Sequence, residues 1–292
     1  MLNFDVNVLE PKLRIEEISW AGLPYKRPRS AGKNARLDVH GWGGDVPIAR
    51  IKAGGIEAFG WCTMNRRQAE MMTGVPLCAM FLDNGLVRPE YKGLEWPILD
   101  WLGRFLKKPV YELAAKNPEK IKNGFSIPVY DTTIYFDELH IDNDKEAIAF
   151  LLDEVSQGLA RNHRNFKIKT GRCGMWMELD KGLKRDIDIV IAIRGLVGKD
   201  SKLMVDANNG YNLNITKNFL LETKDADVFW IEEAFHEDNM LYGFLKTWMK
   251  ENGIKTLIAD GEGQASPSVI EWAKKGLIDV VQYNLRAYGF CN

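Results

Sequence analysis

From about Ser126 to its end, the sequence alternates between short apolar runs and longer amphipathic stretches without a break. The short runs have the length of buried strands, and the stretches between them keep apolar residues on one helical face. A repeated order of strand and helix implies a parallel sheet whose strands are joined by helical crossovers. Few architectures satisfy this pattern, so it limits the fold more than any other feature of the chain.

The six predicted strands are short and end in polar or charged residues, which favours a (β/α) TIM-like barrel with its chemistry at the carboxyl ends of the strands. A doubly wound open sheet is the alternative, although no G-x-G-x-x-G or P-loop motif follows any strand. Six strands are fewer than eight, so the barrel is expected to be truncated after the sixth strand, or its last two units lie outside this sequence. The predicted strands are residues 127–136, 166–169, 202–206, 228–232, 256–260 and 278–283.

The segment before the alternation predicts a second, smaller domain. Gly54 and Gly55 lie between two short apolar runs, as in a two-residue hairpin turn, where glycine adopts positive φ without strain. Apolar residues then recur at helical spacing over residues 98–106. We therefore predict an α+β capping domain over residues 1–125 and an incomplete β/α barrel domain over residues 126–292.

Composition excludes several classes of partner. The chain has 39 basic and 40 acidic residues, so its net charge indicates neither nucleic acid nor an anionic membrane as a ligand. No apolar run approaches the roughly 18 residues of a membrane helix, and the start does not resemble a signal peptide. The four cysteines have no C-x-x-C spacing; they are Cys62, Cys78, Cys173 and Cys291. These features favour a cytoplasmic protein with a small-molecule ligand, and a homo-oligomer is expected because symmetric assemblies are common.

Carboxylates stand at the ends of three consecutive predicted strands. Asp206 closes the third strand and Glu232 the fourth, while Asp260 and Glu262 lie at the end of the fifth. Each acid taken alone could instead contact solvent in a loop or cap the next helix. Three carboxylates from neighbouring strands can converge on one hard cation, and oxygen ligands are what Mg²⁺ prefers. The pattern therefore predicts a magnesium site.

Two lysines end the second strand, and alternation along a strand places Lys167 and Lys169 on the same side. A lone lysine is usually a solvated surface residue. Two ammonium groups that repel each other beside a divalent cation are expected to have lowered pKa values. A lysine with a lowered pKa can act as a base near neutral pH.

Ordered segments of the chain combine these residues with their neighbours. They are FKIK at 166–169, VDANNGY at 205–211, WIEE at 230–233 and DGE at 260–262. Taken in order, they resemble the motifs of the mandelate racemase and muconate lactonizing enzyme branch of the enolase superfamily. The smaller domain is similar as well, in GIEAFG at 55–60 and in residues 96–113, so the resemblance spans nearly the whole chain.

The resemblance implies a ligand set for the metal. Asp206, Glu232 and Glu262 occupy the positions of the Mg²⁺ ligands. Asp260 is the alternative to Glu262 as the third ligand, because it lies closer to the strand itself.

The resemblance also implies roles for residues around the metal. Lys169 is expected to be the catalytic base, while Lys167 tunes it and contacts the substrate carboxylate. Asn208 is expected to hydrogen-bond the substrate. Many relatives have a second acid or base at the end of the sixth strand, where alignment places Asn284, which we expect to contact substrate instead. Arg172 follows the second strand and could bind a second carboxylate or a sugar hydroxyl, with a salt bridge on the barrel rim as the alternative.

These implications define a reaction. We expect Mg²⁺-dependent removal of a proton α to a carboxylate through an enediolate intermediate, followed by dehydration of an acid sugar. One alternative is a racemase or epimerase of a 2-hydroxy or related acid, which shares the first half of that reaction. Another is a truncated, catalytically silent homologue that acts in binding or assembly.

Overall fold

The computed structural model describes residues 2–262 and 266–290 and divides into two compact units. The first unit comprises the chain up to Lys26, Gly43–Ile127 and the segment from Asn284. The second unit comprises Arg27–Trp42 and Pro128–Tyr283. The chain thus passes between the units more than once, whereas the sequence predicts a single boundary after residue 125.

The described part of the first unit contains most of a three-stranded sheet in the order β1, β2, β3, and four helices, of which three directly follow the sheet in the chain. The predicted hairpin is confirmed, because β2 and β3 are antiparallel and Gly54 and Gly55 connect them with φ values of 54° and 76°. The predicted helix over residues 98–106 is confirmed within α2. The elements are β1 (Glu17–Ala31), β2 (Gly41–Ala53), β3 (Ile56–Trp61), α1 (Arg66–Glu70), α2 (Glu95–Leu106) and α3 (Val110–Ala114).

The second unit contains a parallel sheet of six strands in sequential order, as the alternation predicts. Its strands are β4 (Asp131–Ile134), β5 (Phe166–Lys169), β6 (Leu203–Asp206), β7 (Val228–Glu232), β8 (Leu257–Asp260) and β9 (Val280–Val281). The first strand is shorter than predicted because the apolar residues Ile127 and Val129 before it are exposed and pair with no strand in the described part of the chain.

Helices follow the strands of the parallel sheet. They are α4 (Asp144–Ala160), α5 (Leu179–Val197), α6 (Leu213–Glu222), α7 (Asn239–Glu251) and α8 (Val269–Lys274), while α9 (Leu285–Tyr288) belongs to the first unit. Side chains that accept hydrogen bonds from otherwise unpaired N–H groups start three of them: Asn143 for α4, Asn212 for α6 and Asp238 for α7. Local sequence therefore sets where these crossovers begin.

The two faces of the parallel strands have different surroundings. Residues such as Ile168, Val205 and Ile231 belong to the main apolar core of this unit, which the helices complete. On the opposite face, Met204, Trp230 and Ala259 form a separate small cluster. Since side chains alternate along a strand, the charged residues that end β6 and β7 lie on the same face as this small cluster, whereas Asp260 at the end of β8 lies on the opposite face.

Two further features match the composition. Among the described residues, no helix combines the length and the apolar character that a membrane crossing requires. Cys62, Cys78 and Cys173 are free thiols, and Cys291 lies outside the described residues.

Candidate active site

The register of the parallel sheet aligns the charged strand ends. Lys169 on β5 pairs with Asp206 on β6, which in turn pairs with Glu232 on β7. All three residues are buried, and the two acids have no exposed surface. Three short apolar strands that end at one level therefore bring an amine and two carboxylates into a single row.

Both lysines of β5 contact these carboxylates. The Lys169 Nζ donates to Asp206 Oδ2 at 2.5 Å. The Lys167 Nζ lies 3.2 Å from the same oxygen and donates to both carboxylate oxygens of Glu232 at 2.9 Å. The two ammonium groups thus lie on one side of the strand, as alternation predicts.

With only the protein's own side chains around them, the two lysines have raised pKa values, whereas the sequence predicts lowered pKa values beside a divalent cation. Burial lowers the pKa of Lys167, but Asp206 and Glu232 outweigh this effect, and the net pKa is raised. The pKa of Lys169 is also raised, since Asp206 offsets both burial and repulsion from Lys167. The carboxylates that surround the lysines, rather than the repulsion between the lysines, set the direction of the shift.

The two buried acids differ in their pKa. Burial raises the pKa of Asp206, but Lys169 and Lys167 oppose it and the net pKa is lowered. The pKa of Glu232 is raised, first by burial and then by the neighbouring charge of Asp206. The two lysines therefore outweigh burial at Asp206 and favour its ionised form. At Glu232, burial and the charge of Asp206 outweigh Lys167.

A possible metal-binding group includes a third acid. One carboxylate oxygen each from Asp206, Glu232 and Glu262 lie within 4.8 Å of one another, and Glu262 is exposed. Asp260, the alternative third ligand, instead accepts hydrogen bonds from Tyr242 Oη and from Gly261 N. The three gathered donors are all carboxylate oxygens, and this donor set fits Mg²⁺.

Sequence reasoning missed the residues that hold Glu232. Its Oε2 accepts hydrogen bonds from Trp230 Nε1 at 3.2 Å and from Gln282 Nε2 at 2.9 Å. The same Gln282 amide group lies 3.0 Å from Tyr130 Oη. Trp230 stands two residues before Glu232 in one strand, and Gln282 directly follows β9, so alternation and strand-end position were the available signals.

Asn208 lies beside the first predicted metal ligand. Its backbone N–H donates to Asp206 Oδ1 at 3.0 Å, and its side-chain Nδ2 donates to Glu233 Oε2 at 2.9 Å. Burial and the charge of Asp206 raise the pKa of Glu233 to about 7. Glu233 is therefore another buried acid of the site that sequence reasoning missed, although it directly follows Glu232.

Arg172 is fully buried in a network of ion pairs. Its side chain has no exposed area and donates to Glu138 and Asp186, with 2.6 Å as the shortest distance to each. It also donates to the backbone oxygen of Lys169 at 3.1 Å. These contacts favour the salt-bridge alternative for Arg172, because the guanidinium is engaged in internal ion pairs.

Asn284 caps a helix. Its Oδ1 accepts a hydrogen bond from Ala287 N at 3.1 Å, at the start of α9. This contact occupies one of the two lone pairs of the amide oxygen. The substrate-binding role of Asn284 remains a prediction.

Comparisons with known proteins agree with this arrangement. A family model described as enolase C-terminal domain-like matches residues 151–289. A mandelate racemase/muconate lactonizing protein from Geobacillus sp. Y412MC10, solved with magnesium and tartrate, superposes with a TM-score of 0.93 at 44% identity, over 100% of this chain and 75% of that one. The chain belongs to the enolase superfamily, in the mandelate racemase and muconate lactonizing enzyme branch.

Two relatives are named for specific reactions. Galacturonate dehydratase from Geobacillus sp., solved with D-galacturonate and 5-keto-4-deoxy-D-galacturonate, has a TM-score of 0.90 and 45% identity over 97% of this chain and 74% of that chain. Arabinonate dehydratase from Saccharolobus solfataricus is 26% identical over 154 residues. That match spans 53% of this chain and 36% of the length of the curated relative.

Proposed function

We propose that this protein is a magnesium-dependent dehydratase of an acid sugar, acting in the cytoplasm through a β/α barrel fold. The observation that carries the proposal is the convergence of Asp206, Glu232 and Glu262 within 4.8 Å, with the Lys169 amine 2.5 Å from Asp206. Asp206 is therefore both a predicted metal ligand and the hydrogen-bond partner of the candidate base. The dehydratase relatives support the choice of reaction.

Three carboxylates would hold the cation: Asp206, Glu232 and Glu262. When bound, Mg²⁺ supplies positive charge that stabilises the negative charge developing on the substrate carboxylate and that weakens the hold of Asp206 on the Lys169 ammonium. Lys167, which contacts both Asp206 and Glu232, is placed to contact the substrate carboxylate beside them.

The reaction assigns one proton transfer to Lys169. Its neutral amine takes the proton from the carbon next to the carboxylate, and the electron pair of that C–H bond forms a carbon–carbon double bond. The hydroxyl on the adjacent carbon leaves as water with the proton that Lys169 took, which restores the neutral amine. The resulting enol tautomerises to a keto acid, so the products are one keto acid and one water.

The ligands of the galacturonate dehydratase fit this scheme. D-Galacturonate and 5-keto-4-deoxy-D-galacturonate differ by one water, lost across the two carbons next to the carboxylate. The same change on an aldonate would give a 2-keto-3-deoxy acid, which is the expected outcome for an arabinonate dehydratase. The acid-sugar class is therefore the proposed substrate class for this chain.

The test is incubation of the Mg²⁺-loaded protein with D-galacturonate and with D-arabinonate in deuterated water, followed by proton NMR. A dehydratase produces the corresponding keto-deoxy acid and no stereoisomer of the substrate. Exchange of the α proton with return of stereoisomers identifies a racemase or epimerase instead. If neither exchange nor product appears across a panel of acid sugars, the proposed activity is wrong and the silent homologue is favoured.

A further inference from the structure

The side-chain amide of Asn208 has one satisfied end and one unsatisfied end. Its Nδ2 donates to Glu233 Oε2 at 2.9 Å. Its Oδ1 is buried and has no hydrogen-bond partner among the described residues. A buried acceptor without a donor is destabilising, so this oxygen calls for a ligand that supplies a donor.

Glu233 determines which end of the amide remains unsatisfied. The NH₂ group of Asn208 donates to Glu233 Oε2, so the nitrogen end of the amide is the end that faces Glu233. The amide oxygen, on the opposite side of the same planar group, then faces away from Glu233. The backbone N–H of Asn208 donates to Asp206 Oδ1 at 3.0 Å, so Asn208 adjoins a predicted metal ligand.

The backbone holds both residues in place. Asn208 and Glu233 have φ values of 43° and 44°, in the left-handed region that most residues avoid. The neighbouring Asn209 N–H donates to Glu233 O at 2.6 Å, and the Glu233 N–H donates to Ala259 O at 3.1 Å. Strained conformations of this kind persist where surrounding contacts enforce them, and they concentrate at functional sites.

We infer that Glu233 is a positioning residue that turns the amide oxygen of Asn208 toward a hydroxyl group of the substrate. This inference rests on the proposed acid-sugar substrate. A carboxylate oxygen of the substrate has no proton to donate, so it cannot satisfy Asn208 Oδ1, whereas a hydroxyl can. The Asn208 and Glu233 pair therefore selects hydroxylated acids over acids of the same skeleton that lack hydroxyls.

Tartrate and succinate form a matched pair of probes, since they share one dicarboxylate skeleton and differ by two hydroxyls. Their dissociation constants with the Mg²⁺-loaded protein are measured by titration calorimetry. Tartrate hydroxyls can also bind the cation directly, but that contribution is common to all variants. The informative quantity is thus the change in the ratio of succinate to tartrate dissociation constants.

The wild-type protein is expected to prefer tartrate, and the preference should fall about five- to tenfold in Glu233→Met and in Asn208→Ala. Glu233→Gln keeps an acceptor for the Asn208 amide and should restore most of the preference. Glu237→Gln changes a nearby acid that does not contact Asn208 and serves as the matched control. In the Asn208→Ala background, Glu233→Met should cause no further change, because the two residues act as one unit.

Several results would overturn the inference. One is equal affinity of the wild-type protein for tartrate and succinate, or no binding of either. Another is an unchanged preference for tartrate in Asn208→Ala. A third is that the effects of Asn208→Ala and Glu233→Met add in the double variant. If Glu233→Met does not fold, the Asn208→Ala and Glu233→Gln variants still decide the matter. Since the probes need not turn over, a failure of the proposed dehydration would show separately in the NMR assay.

Discussion

Two clusters of buried charge lie at the end of β5, and they differ in how completely their polar groups are paired. In the first, Arg172 contacts Glu138, Asp186 and the backbone oxygen of Lys169, and it has no exposed surface. In the second, Lys167 and Lys169 contact the acids of β6 and β7. Arg172 is fully buried and Lys167 and Lys169 are each 6% exposed, so both clusters are buried and burial alone does not separate them.

The second cluster leaves groups available that the first does not. Glu262 is exposed although its carboxylate lies within 4.8 Å of two buried acids, and Asn208 Oδ1 has no partner among the described residues. A network in which every polar group is paired stabilises one arrangement of the fold. Unpaired polar groups and an excess of carboxylates over cations indicate a place for a ligand. The gathering of three carboxylates together with incomplete pairing, rather than buried charge alone, distinguishes the candidate active site from the Arg172 cluster.

The largest expected effect comes from removing the candidate base. Lys169→Ala should lower kcat on the acid sugar that the enzyme dehydrates by on the order of 10²–10⁴-fold, because the amine that takes the α proton is lost. Mg²⁺ binding should persist, since the three carboxylates remain. Lys184→Ala, which removes an exposed lysine paired with Asp188 on α5, is the control and should leave kcat unchanged.

A substitution in the Arg172 cluster should lower the stability of the fold and not the catalytic activity. Arg172→Met leaves Glu138 and Asp186 buried without their cation, and loss of one partner from a buried ion pair costs about 3–5 kcal/mol. Urea unfolding should show this loss in the free energy of unfolding. If Arg172→Met retained its stability but lost substrate affinity, the assignment of Arg172 to the fold would be wrong.

A buried acid outside both clusters, Glu154, should make the free energy of unfolding depend on pH. Glu154 on α4 is paired with Arg29, yet its Oε2 has no partner in the described residues, and burial raises its pKa from 4.5 to about 8. Between about pH 4.5 and about pH 8, Glu154 is therefore protonated in the folded protein and ionised in the unfolded chain. The stability from this group is fully present below about pH 4.5 and is lost as pH rises through about 8.

Glu154→Gln keeps the side chain neutral at every pH. Its free energy of unfolding relative to the wild-type protein should therefore increase from pH 5 to pH 9, by about 1–3 kcal/mol. Thermal or urea unfolding at several pH values measures the difference. A constant difference across this range would mean that Glu154 is ionised throughout in the folded protein.

The sequence predicted the parts of this molecule that follow from periodicity. Alternating apolar runs were enough to place the strands from Phe166–Lys169 to Leu257–Asp260, because short buried strands leave a clear pattern. Their polar ends were enough to identify Asp206, Glu232 and Glu262 as candidates, since parallel strands finish at one edge of the sheet.

Periodicity could not predict which side chains pair with one another. Arg172 follows the same strand as the lysines, and only its three-dimensional contacts assign it to an internal network. Gln282 contacts Glu232 across 50 positions of the sequence, which no local pattern reports. The pKa of Lys169 likewise depends on Asp206, a residue from another strand, so its direction required the register of the sheet.

The central claim is that Asp206, Glu232 and Glu262 gather one divalent cation, and titration of Mg²⁺ into the wild-type protein and single variants tests it most directly. Asp206→Asn, Glu232→Gln and Glu262→Gln should each weaken Mg²⁺ binding at least about tenfold, because each removes a charged oxygen ligand. Asp260→Asn should leave the affinity nearly unchanged, since that carboxylate is held by Tyr242 and Gly261. Mg²⁺ affinity that survives the first three substitutions, or is lost only with Asp260, would contradict the account.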